Sequence, residues 1–253
     1  LVPGSAPRIL AHDDEAMLCV MEYLEPESYP LWKTELRQGN ARTEDAAEVG
    51  RRLARIHAGA AGDQGAWSRF PRSDIFREIR LEPYLEATAE KHPDLKDTLY
   101  ALSRETDGTR LTVIHGDISP KNILLGPDGP LFLDAECACI GDPAFDIAFC
   151  LNHFLLKCLW VPDSTDAFLA CFEAMTSAYL AEVNWEASAS LERRAARLLP
   201  GLFLARVDGK SPVEYITRES DRERVRLCAR ALLKKLPTQL HETAIAWRKS
   251  LNK

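Results

Sequence analysis

The stretch Val113-Ile-His-Gly-Asp-Ile-Ser-Pro-Lys-Asn-Ile-Leu-Leu125, followed by Leu131-Phe-Leu-Asp-Ala-Glu136, brings polar side chains to the ends of short apolar segments. A β-branched strand leads into Asp117, a second strand follows Asn122, and Asp134 ends a third, joined to the second by a Gly-Pro-Asp-Gly turn. Carboxylate and amide oxygens suit Mg²⁺, and a remaining carboxylate can accept a proton from an attacking hydroxyl. Each residue alone fits an ordinary turn, so it is their joint spacing that predicts a catalytic site.

The segments before this stretch predict a small hairpin and then helices. Short apolar runs at 9–10 and 17–21 flank a polar turn, which is typical of a hairpin or the end of a sheet. Thr43 is predicted to cap a helix that stops near Gly59 and Gly62. Two further helices are expected over 75–90 and 95–104.

The segments after it are predicted to be helical. Asp142-Pro143 has the cap and first-turn proline of a helix start, and the apolar run that follows predicts a buried helix. Ser211-Pro212 is expected to start another helix in the same way. Helix breaks are expected at Pro200-Gly201, Asp208-Gly209 and Pro237.

Composition excludes several classes of protein. The 253 residues carry 38 acidic and 32 basic side chains, a net charge of −6, which disfavours a binder of nucleic acid polymers or of anionic membranes. The most apolar stretch, 145–161, contains charged residues that a bilayer would not accept. The seven cysteines are an odd number within mostly apolar stretches, which favours reduced thiols in a cytoplasmic protein, and Cys137 and Cys139 lack the second Cys/His pair of a zinc site.

The central stretch resembles the aminoglycoside phosphotransferase family, which includes choline, homoserine and methylthioribose kinases. The resemblance is carried by His115-Gly-Asp117 with Asn122, by Leu133-Asp-Ala-Glu136, and by Gly141-Asp-Pro143 with Phe145-Asp-Ile-Ala148. Leu53-Ala-Arg-Ile-His57 is similar to the helix that precedes the family's catalytic loop. The resemblance implies an α+β, protein-kinase-like fold with a mostly helical C-terminal lobe and a β-hairpin at the catalytic loop.

The same resemblance implies a role for each polar residue of the stretch. Asp117 would be the catalytic base, and Asn122 and Asp134 would hold Mg²⁺ and complete the catalytic set. Glu136 would lie near the metal or the substrate, and Asp146 would support the catalytic loop from the buried helix. The implied reaction transfers the γ-phosphoryl group of ATP to a hydroxyl of a small molecule.

Three other positions have a bland and a functional interpretation. His115 is expected to anchor the loop rather than to act as a base, and His57 is expected to be a core or loop-contact histidine. Ser119 stands where protein kinases carry a catalytic-loop lysine, which favours a small-molecule kinase.

Met21-Glu-Tyr-Leu24 looks like a kinase hinge, the segment whose backbone binds adenine. By the resemblance, the backbone carbonyl of Glu22 and the amide of Leu24 would face the base of the nucleotide, with Met21 beside it. The use of ATP over GTP is a default of this interpretation.

A kinase also covers the ATP phosphates with a glycine-rich loop and a strand-borne lysine. Neither precedes the hinge-like segment, since the first lysine is Lys33. Residues 1–24 are therefore expected to be the end of an N-terminal lobe and the hinge, and 25–253 the helical catalytic lobe. A fragment of a longer protein explains this better than a genuine loss of the lobe.

Two other functions remain open at this stage. A degenerate, pseudokinase-like module would bind nucleotide without turnover, and a metal-dependent phosphohydrolase could use Asp134 and Glu136. The net negative charge is compatible with a cationic acceptor such as an aminoalcohol or an aminoglycoside. The sequence gives no signal for an oligomeric state.

Overall fold

A computed structural model describes residues 2–71 and 74–252. Three antiparallel two-stranded sheets accompany a mostly helical body. The strands pair as β1 (Ile9–Asp13) with β2 (Leu18–Met21), β3 (Thr112–Ile114) with β6 (Cys139–Gly141), and β4 (Ile123–Gly126) with β5 (Gly129–Phe132). The two hairpins, β1–β2 and β4–β5, are as predicted, whereas no local sequence pattern indicated β6.

The helices divide into those before and those after the central stretch, residues 113–136. The first group is α1 (Trp32–Arg37), α2 (Thr43–Ala60), α3 (Gln64–Arg69), α4 (Asp74–Phe76), a π-helix (Arg77–Glu86), α5 (Ala87–Lys91) and α6 (Lys96–Gly108). The second group is α7 (Pro143–Trp160), α8 (Thr165–Glu182), α9 (Ser188–Asp208), α10 (Glu219–Lys234) and α11 (Leu240–Leu251). Short 3₁₀ turns lie at Pro93–Leu95, Pro120–Asn122 and Pro162–Ser164.

Helix α7 forms the centre of the core. Every residue from Pro143 to Cys158 is buried, because α1, α8 and α9 and the strand β3 pack around the helix. Asp142 caps it as predicted, accepting a hydrogen bond from the Ala144 amide at 3.0 Å, and also receives the guanidinium of Arg194. A polar side chain on α7 is therefore either paired inside the core or directed into a cavity.

The helix prediction is wrong at Thr43 and at Pro200-Gly201. Thr43 is the first residue of α2 rather than its cap, and the preceding Arg42 makes no capping hydrogen bond. Helix α9 runs through Pro200-Gly201, where Gly201 has no room for a Cβ against Leu85 and where close packing offsets the hydrogen bond that proline removes.

Ser211-Pro212 does not start a helix. Arg206 of α9 donates to the backbone carbonyl of Ser211 at 2.6 Å and to its hydroxyl at 3.2 Å, and the Val213 amide donates back to the Arg206 carbonyl at 2.9 Å. These bonds tie the segment to the end of α9, and the next helix begins only at Glu219. Residues 209–218 therefore form a loop folded over α9.

Within the described parts of the chain, no helix is both long enough and apolar enough to cross a membrane.

Candidate active site

The loop after β3 is held in place by a buried carboxylate of α7. Asp146 is fully buried and accepts hydrogen bonds from the backbone amides of His115 at 2.7 Å and Gly116 at 2.8 Å. The imidazole of His57 lies 3.2 Å from the same carboxylate and is held on its other side by Tyr179. Asp146 therefore holds the backbone of the loop that leads to Asp117, and His57 is a buried core histidine that supports Asp146.

His115 anchors the loop to the neighbouring hairpin. Its Nδ1 accepts a hydrogen bond from the Asp117 amide at 3.2 Å, so its Nε2 is the nitrogen that donates to the Leu133 carbonyl, at 3.0 Å. With both ring nitrogens engaged in backbone contacts, the histidine serves as a structural link.

Asp117 lies at the end of this loop with one carboxylate oxygen fully engaged. Its Oδ2 receives Arg80 Nη2 at 2.9 Å, Lys121 Nζ at 3.0 Å and Asn122 Nδ2 at 2.9 Å. Its Oδ1 accepts no hydrogen bond from any residue that the structure describes. The side chain is only 3% exposed, so this one free oxygen is the part of Asp117 that can meet a ligand.

Asn122 is oriented by the same carboxylate. Its amide nitrogen also donates to the Asp117 backbone carbonyl at 3.1 Å, so the opposite side-chain atom, Oδ1, is the one left for a ligand. Ser119, two residues after Asp117, is buried with a hydroxyl that has no partner among the described residues. The lysine that contacts Asp117 is Lys121, which was not among the predicted site residues.

Asp134 and Glu136 lie on the exposed segment that follows β5. The Leu133 amide donates to the Asn122 carbonyl at 2.9 Å, so Asp134 directly follows a residue that is hydrogen-bonded to Asn122. Asp134 has a left-handed backbone with φ of 65°, a conformation that costs energy for any residue with a Cβ. The described residues give its carboxylate no partner, and Glu136 likewise faces solvent without one.

The donors at this point fit a hard divalent cation. The Asn122 amide oxygen and the Asp134 carboxylate are oxygen ligands, as Mg²⁺ requires, and their number leaves positions for water and phosphate oxygens. No cluster of three or more His, Cys, Asp and Glu side chains suited to a metal occurs in the described ranges.

The hinge-like segment follows the exposed hairpin. Met21 pairs with Ile9, and the Glu22 amide donates to the Arg8 carbonyl at 2.9 Å. The Glu22 carbonyl and the Leu24 amide make no hydrogen bond with the described residues. The two groups expected to face adenine are thus unpaired.

A cavity of about 270 Å³ opens next to Asp117. The π-helix, α7, the end of α9 and the 209–218 loop supply most of its wall, and Asp117 and Lys121 form one side. A larger cavity of about 880 Å³ lies between α10 and α11 and contains none of the predicted site residues. The smaller cavity is the one that a reacting group could use to reach Asp117.

Sequence reasoning missed the basic residues of this cavity. Arg80 lies 37 positions before Asp117, and nothing in its local pattern indicates the contact. Lys157 did give a signal, a lysine within an otherwise apolar helix, but that signal was used only to exclude a membrane span. Arg206 lies within a helix of ordinary composition, and only the fold brings it to the cavity.

Comparison with known proteins identifies the family of the chain. The model of a family described as the phosphotransferase enzyme family matches residues 2–182, which is more than half of the chain. The chain belongs to this family. The match includes the hinge-like segment, the catalytic stretch and α7, all of which carry the resemblance seen in the sequence.

The curated relatives are small-molecule kinases. A methylthioribose kinase of Yersinia pestis is 24% identical over 185 residues, covering 63% of this chain and 45% of the relative. A homoserine kinase of Methylocella silvestris is 29% identical over 202 residues, covering 69% of this chain and 59% of the relative. The chain thus spans about half the length of the curated relatives that it matches.

A solved structure shows the same fold. An ethanolamine kinase of Plasmodium vivax superimposes with a TM-score of 0.53 at 15% identity, covering 90% of this chain and 69% of that one. The predicted α+β, kinase-like fold is therefore confirmed.

Proposed function

We propose that this chain is the catalytic part of a small-molecule kinase, which transfers the γ-phosphoryl group of ATP to a hydroxyl in a Mg²⁺-dependent reaction. The observation that carries the proposal is the state of Asp117, a buried carboxylate beside a cavity, with one oxygen held by a hydrogen bond and two ion pairs and the other oxygen accepting no hydrogen bond from the described residues. Membership of a phosphotransferase family whose curated relatives are kinases supports the same reaction.

In this reaction Asp117 orients the acceptor and takes its proton. The acceptor hydroxyl donates a hydrogen bond to the free Oδ1, its oxygen attacks the γ-phosphorus, and its proton passes to the carboxylate. The bond between the γ-phosphorus and the bridging oxygen breaks, and ADP leaves with that oxygen. Arg80, Lys121 and Asn122 hold the carboxylate still, so positioning supplies most of the rate.

Two further sets of atoms are assigned to the nucleotide, one to its metal ion and one to its adenine base. Asn122 Oδ1 and Asp134 would hold Mg²⁺, which neutralises charge on the phosphate oxygens. The unpaired Glu22 carbonyl and Leu24 amide would bind the edge of adenine. Glu136 would lie beside the metal or the acceptor, as the family resemblance implies.

The test is the turnover of Asp117→Asn. We expect kcat to fall at least about 100-fold, because amide cannot accept the proton. The assay measures ADP formation with homoserine, methylthioribose, ethanolamine and hydroxy acids as acceptors. Asp163→Asn is the matched control, since Asp163 is an exposed carboxylate outside the cavity, and its kcat should be unchanged.

Other outcomes decide between the remaining functions. Unchanged turnover in Asp117→Asn would refute the assignment of the base. Binding of ATP by the wild-type protein without turnover of any acceptor would favour a pseudokinase-like module, and ATP-independent hydrolysis of phosphate esters would favour a phosphohydrolase. A cytoplasmic location is part of the proposal and is supported by seven free cysteines.

A further inference from the structure

The cavity beside Asp117 is lined by more positive than negative side chains. Its basic residues come from five different segments of the chain, and only two carboxylates face them. The basic residues are Lys33, Arg80, Lys121, Lys157 and Arg206. The carboxylates are Asp117 and Glu214.

Three of the five basic residues have a carboxylate partner in the cavity. Arg80 and Lys121 both contact Asp117, and Lys33 pairs with Glu214. Lys157 and Arg206 have no carboxylate within 4.0 Å in the described residues. Among the described residues, these two basic side chains thus lack an ion-pair partner at contact distance, although Glu214 lies near enough to attract both.

Lys157 is the more unusual of the two, because its side chain is fully buried. Its Nζ lies 4.4 Å from the ring centre of Trp160 and 5.1 Å from that of Tyr215. Aromatic faces attract an ammonium but leave its hydrogen-bonding capacity unused. A buried ammonium without a counter-ion is costly, and a bound anion would remove that cost.

Arg206 and Tyr215, which line the same cavity, each contain a buried polar atom without a partner among the described residues. Arg206 donates through Nη1 to Tyr84 and Ser211, but its buried Nε has no partner in the part of the chain that the structure describes. The buried hydroxyl of Tyr215 also has none there. Unsatisfied buried donors of this kind mark the place of a missing acceptor.

His153 reports on the same surplus of positive charge. Its imidazole lines the cavity on α7, and its pKa lies well below the ordinary value because of burial and the nearby Arg206 and Lys157. The histidine therefore adds no charge of its own, and it can accept or donate a hydrogen bond as a neutral ring.

From the unpaired Lys157 and Arg206 beside the free oxygen of Asp117, we infer that the acceptor is an anion, a hydroxyl compound bearing a carboxylate or a phosphate. Its acid group contacts Lys157, Arg206 and the Tyr215 hydroxyl, and its reacting hydroxyl reaches Asp117. The inference rests on the proposed function, because the bound anion is a phosphoryl acceptor only if the protein is a kinase. The net charge of −6 was compatible with a cationic acceptor. The lining of this cavity is instead mainly basic, which favours an acceptor of the opposite charge.

The test compares ligands that share a hydroxylated three-carbon skeleton and differ in charge. Calorimetry without nucleotide measures binding of glycerate, glycerol 3-phosphate, glycerol and 3-aminopropane-1,2-diol to the wild-type protein at low ionic strength. We expect at least one of the two anions to bind about tenfold or more tightly than the neutral and the cationic compounds. Glycerate and glycerol 3-phosphate distinguish a carboxylate from a phosphate.

Variants connect that preference to the two residues. Lys157→Met and Arg206→Met should each weaken anion binding about tenfold or more, and Arg206→Lys should keep most of it because the charge is retained. Lys91→Met, at an exposed lysine that does not line the cavity, is the control and should bind as the wild type does. Circular dichroism of each variant separates a lost contact from a lost fold.

The results that overturn the inference differ from those that overturn the kinase proposal. Equal affinity across the series, tighter binding of the amine, or anion binding unchanged in both Met variants would refute an anionic acceptor. Those measurements need no turnover. The kinase proposal instead fails on the activity of Asp117→Asn, whatever charge the cavity prefers.

Discussion

The backbone conformation and close packing at Gly116, the residue before Asp117, leave no room for a side chain. Its φ is 78°, and a Cβ there would lie 2.9 Å from the Cys137 sulfur and 3.2 Å from a ring carbon of Phe76. The left-handed turn also directs the Gly116 carbonyl to Arg80 Nε, at 2.6 Å. A larger residue would move the loop and with it the carboxylate of Asp117.

Asp134 is the residue whose replacement tests the metal assignment. We expect Asp134→Asn to raise the Mg²⁺ concentration needed for half-maximal activity about tenfold or more, because one charged oxygen ligand is lost. The measurement is a Mg²⁺ titration of the rate at saturating ATP. An unchanged titration would remove Asp134 from the metal site, and Asp163→Asn again serves as control.

Lys157 is expected to reduce stability in return for its role in binding. Burial, assisted by the nearby Lys33, lowers its pKa from 10.5 to about 7. The unfolded chain therefore binds more protons between these values, and stability rises with pH through that window, whereas the full cost of the buried charge is present below it. The lysine weakens the fold most under acidic conditions.

Lys157→Met should accordingly raise the free energy of unfolding more at pH 6 than at pH 9. The expected difference between the two pH values is about 2 kcal/mol. Urea unfolding of both proteins at each pH measures it. An equal effect at both values would show that the ammonium is not destabilised by burial. Lys91→Met should show no effect at either pH.

At the scale of elements, α7 connects the core to the catalytic loop through Asp146. Burial alone raises the pKa of Asp146, but hydrogen bonding and charge attraction from His57, with His115 nearby, outweigh it and hold the pKa below its ordinary value. The carboxylate therefore contributes stability above its unfolded pKa and loses it as pH falls through the folded value. The loop depends on this one side chain of α7.

Asp146→Ala should lower the free energy of unfolding by about 3 kcal/mol or more, because two backbone amides and His57 lose their buried acceptor. Asp166→Ala is the matched control, since it removes an ion pair to Arg248 at a carboxylate that is 86% exposed, and it should cost less than about 1 kcal/mol. Urea unfolding measures both. Similar costs for the two variants would contradict the supporting role of Asp146.

The elements differ in how far the sequence could predict them. Strand β4 and helix α7 follow from a turn signal and from Asp142-Pro143, which are local features. The path of α9 through Pro200 could not be predicted locally, since its helical state depends on packing against the π-helix and α6. The π-helix itself, which presents Arg80 to Asp117, has no signal in the sequence.

At the scale of the whole molecule, the predicted catalytic residues and the cavity residues were not equally accessible to sequence analysis. Asp117, Asn122 and Asp134 lie within 18 positions, and local strand and turn patterns predict their proximity. The positive cavity instead collects Lys33, Arg206 and others from distant segments, so only the fold shows its charge. Net charge could not predict it, because the surface contributes most of that total.

The N-terminal hairpin is the least enclosed part of the described chain. All residues of β1 and β2 are exposed, among them Ile9, Leu18 and Val20. The remaining apolar residues pack mainly into one core cluster around α7. The hinge-like segment thus connects an open hairpin to a closed helical body.

The central claim is that this site transfers a phosphoryl group to a hydroxyl with Asp117 as base. Phosphorus NMR of the protein with ATP, Mg²⁺ and the acceptor panel measures that transfer directly. We expect ADP and a phosphate ester of one acceptor in equal amounts, formed by the wild type and by Asp163→Asn but not by Asp117→Asn. Release of inorganic phosphate alone, or the same ester formed at the same rate by Asp117→Asn, would contradict the claim.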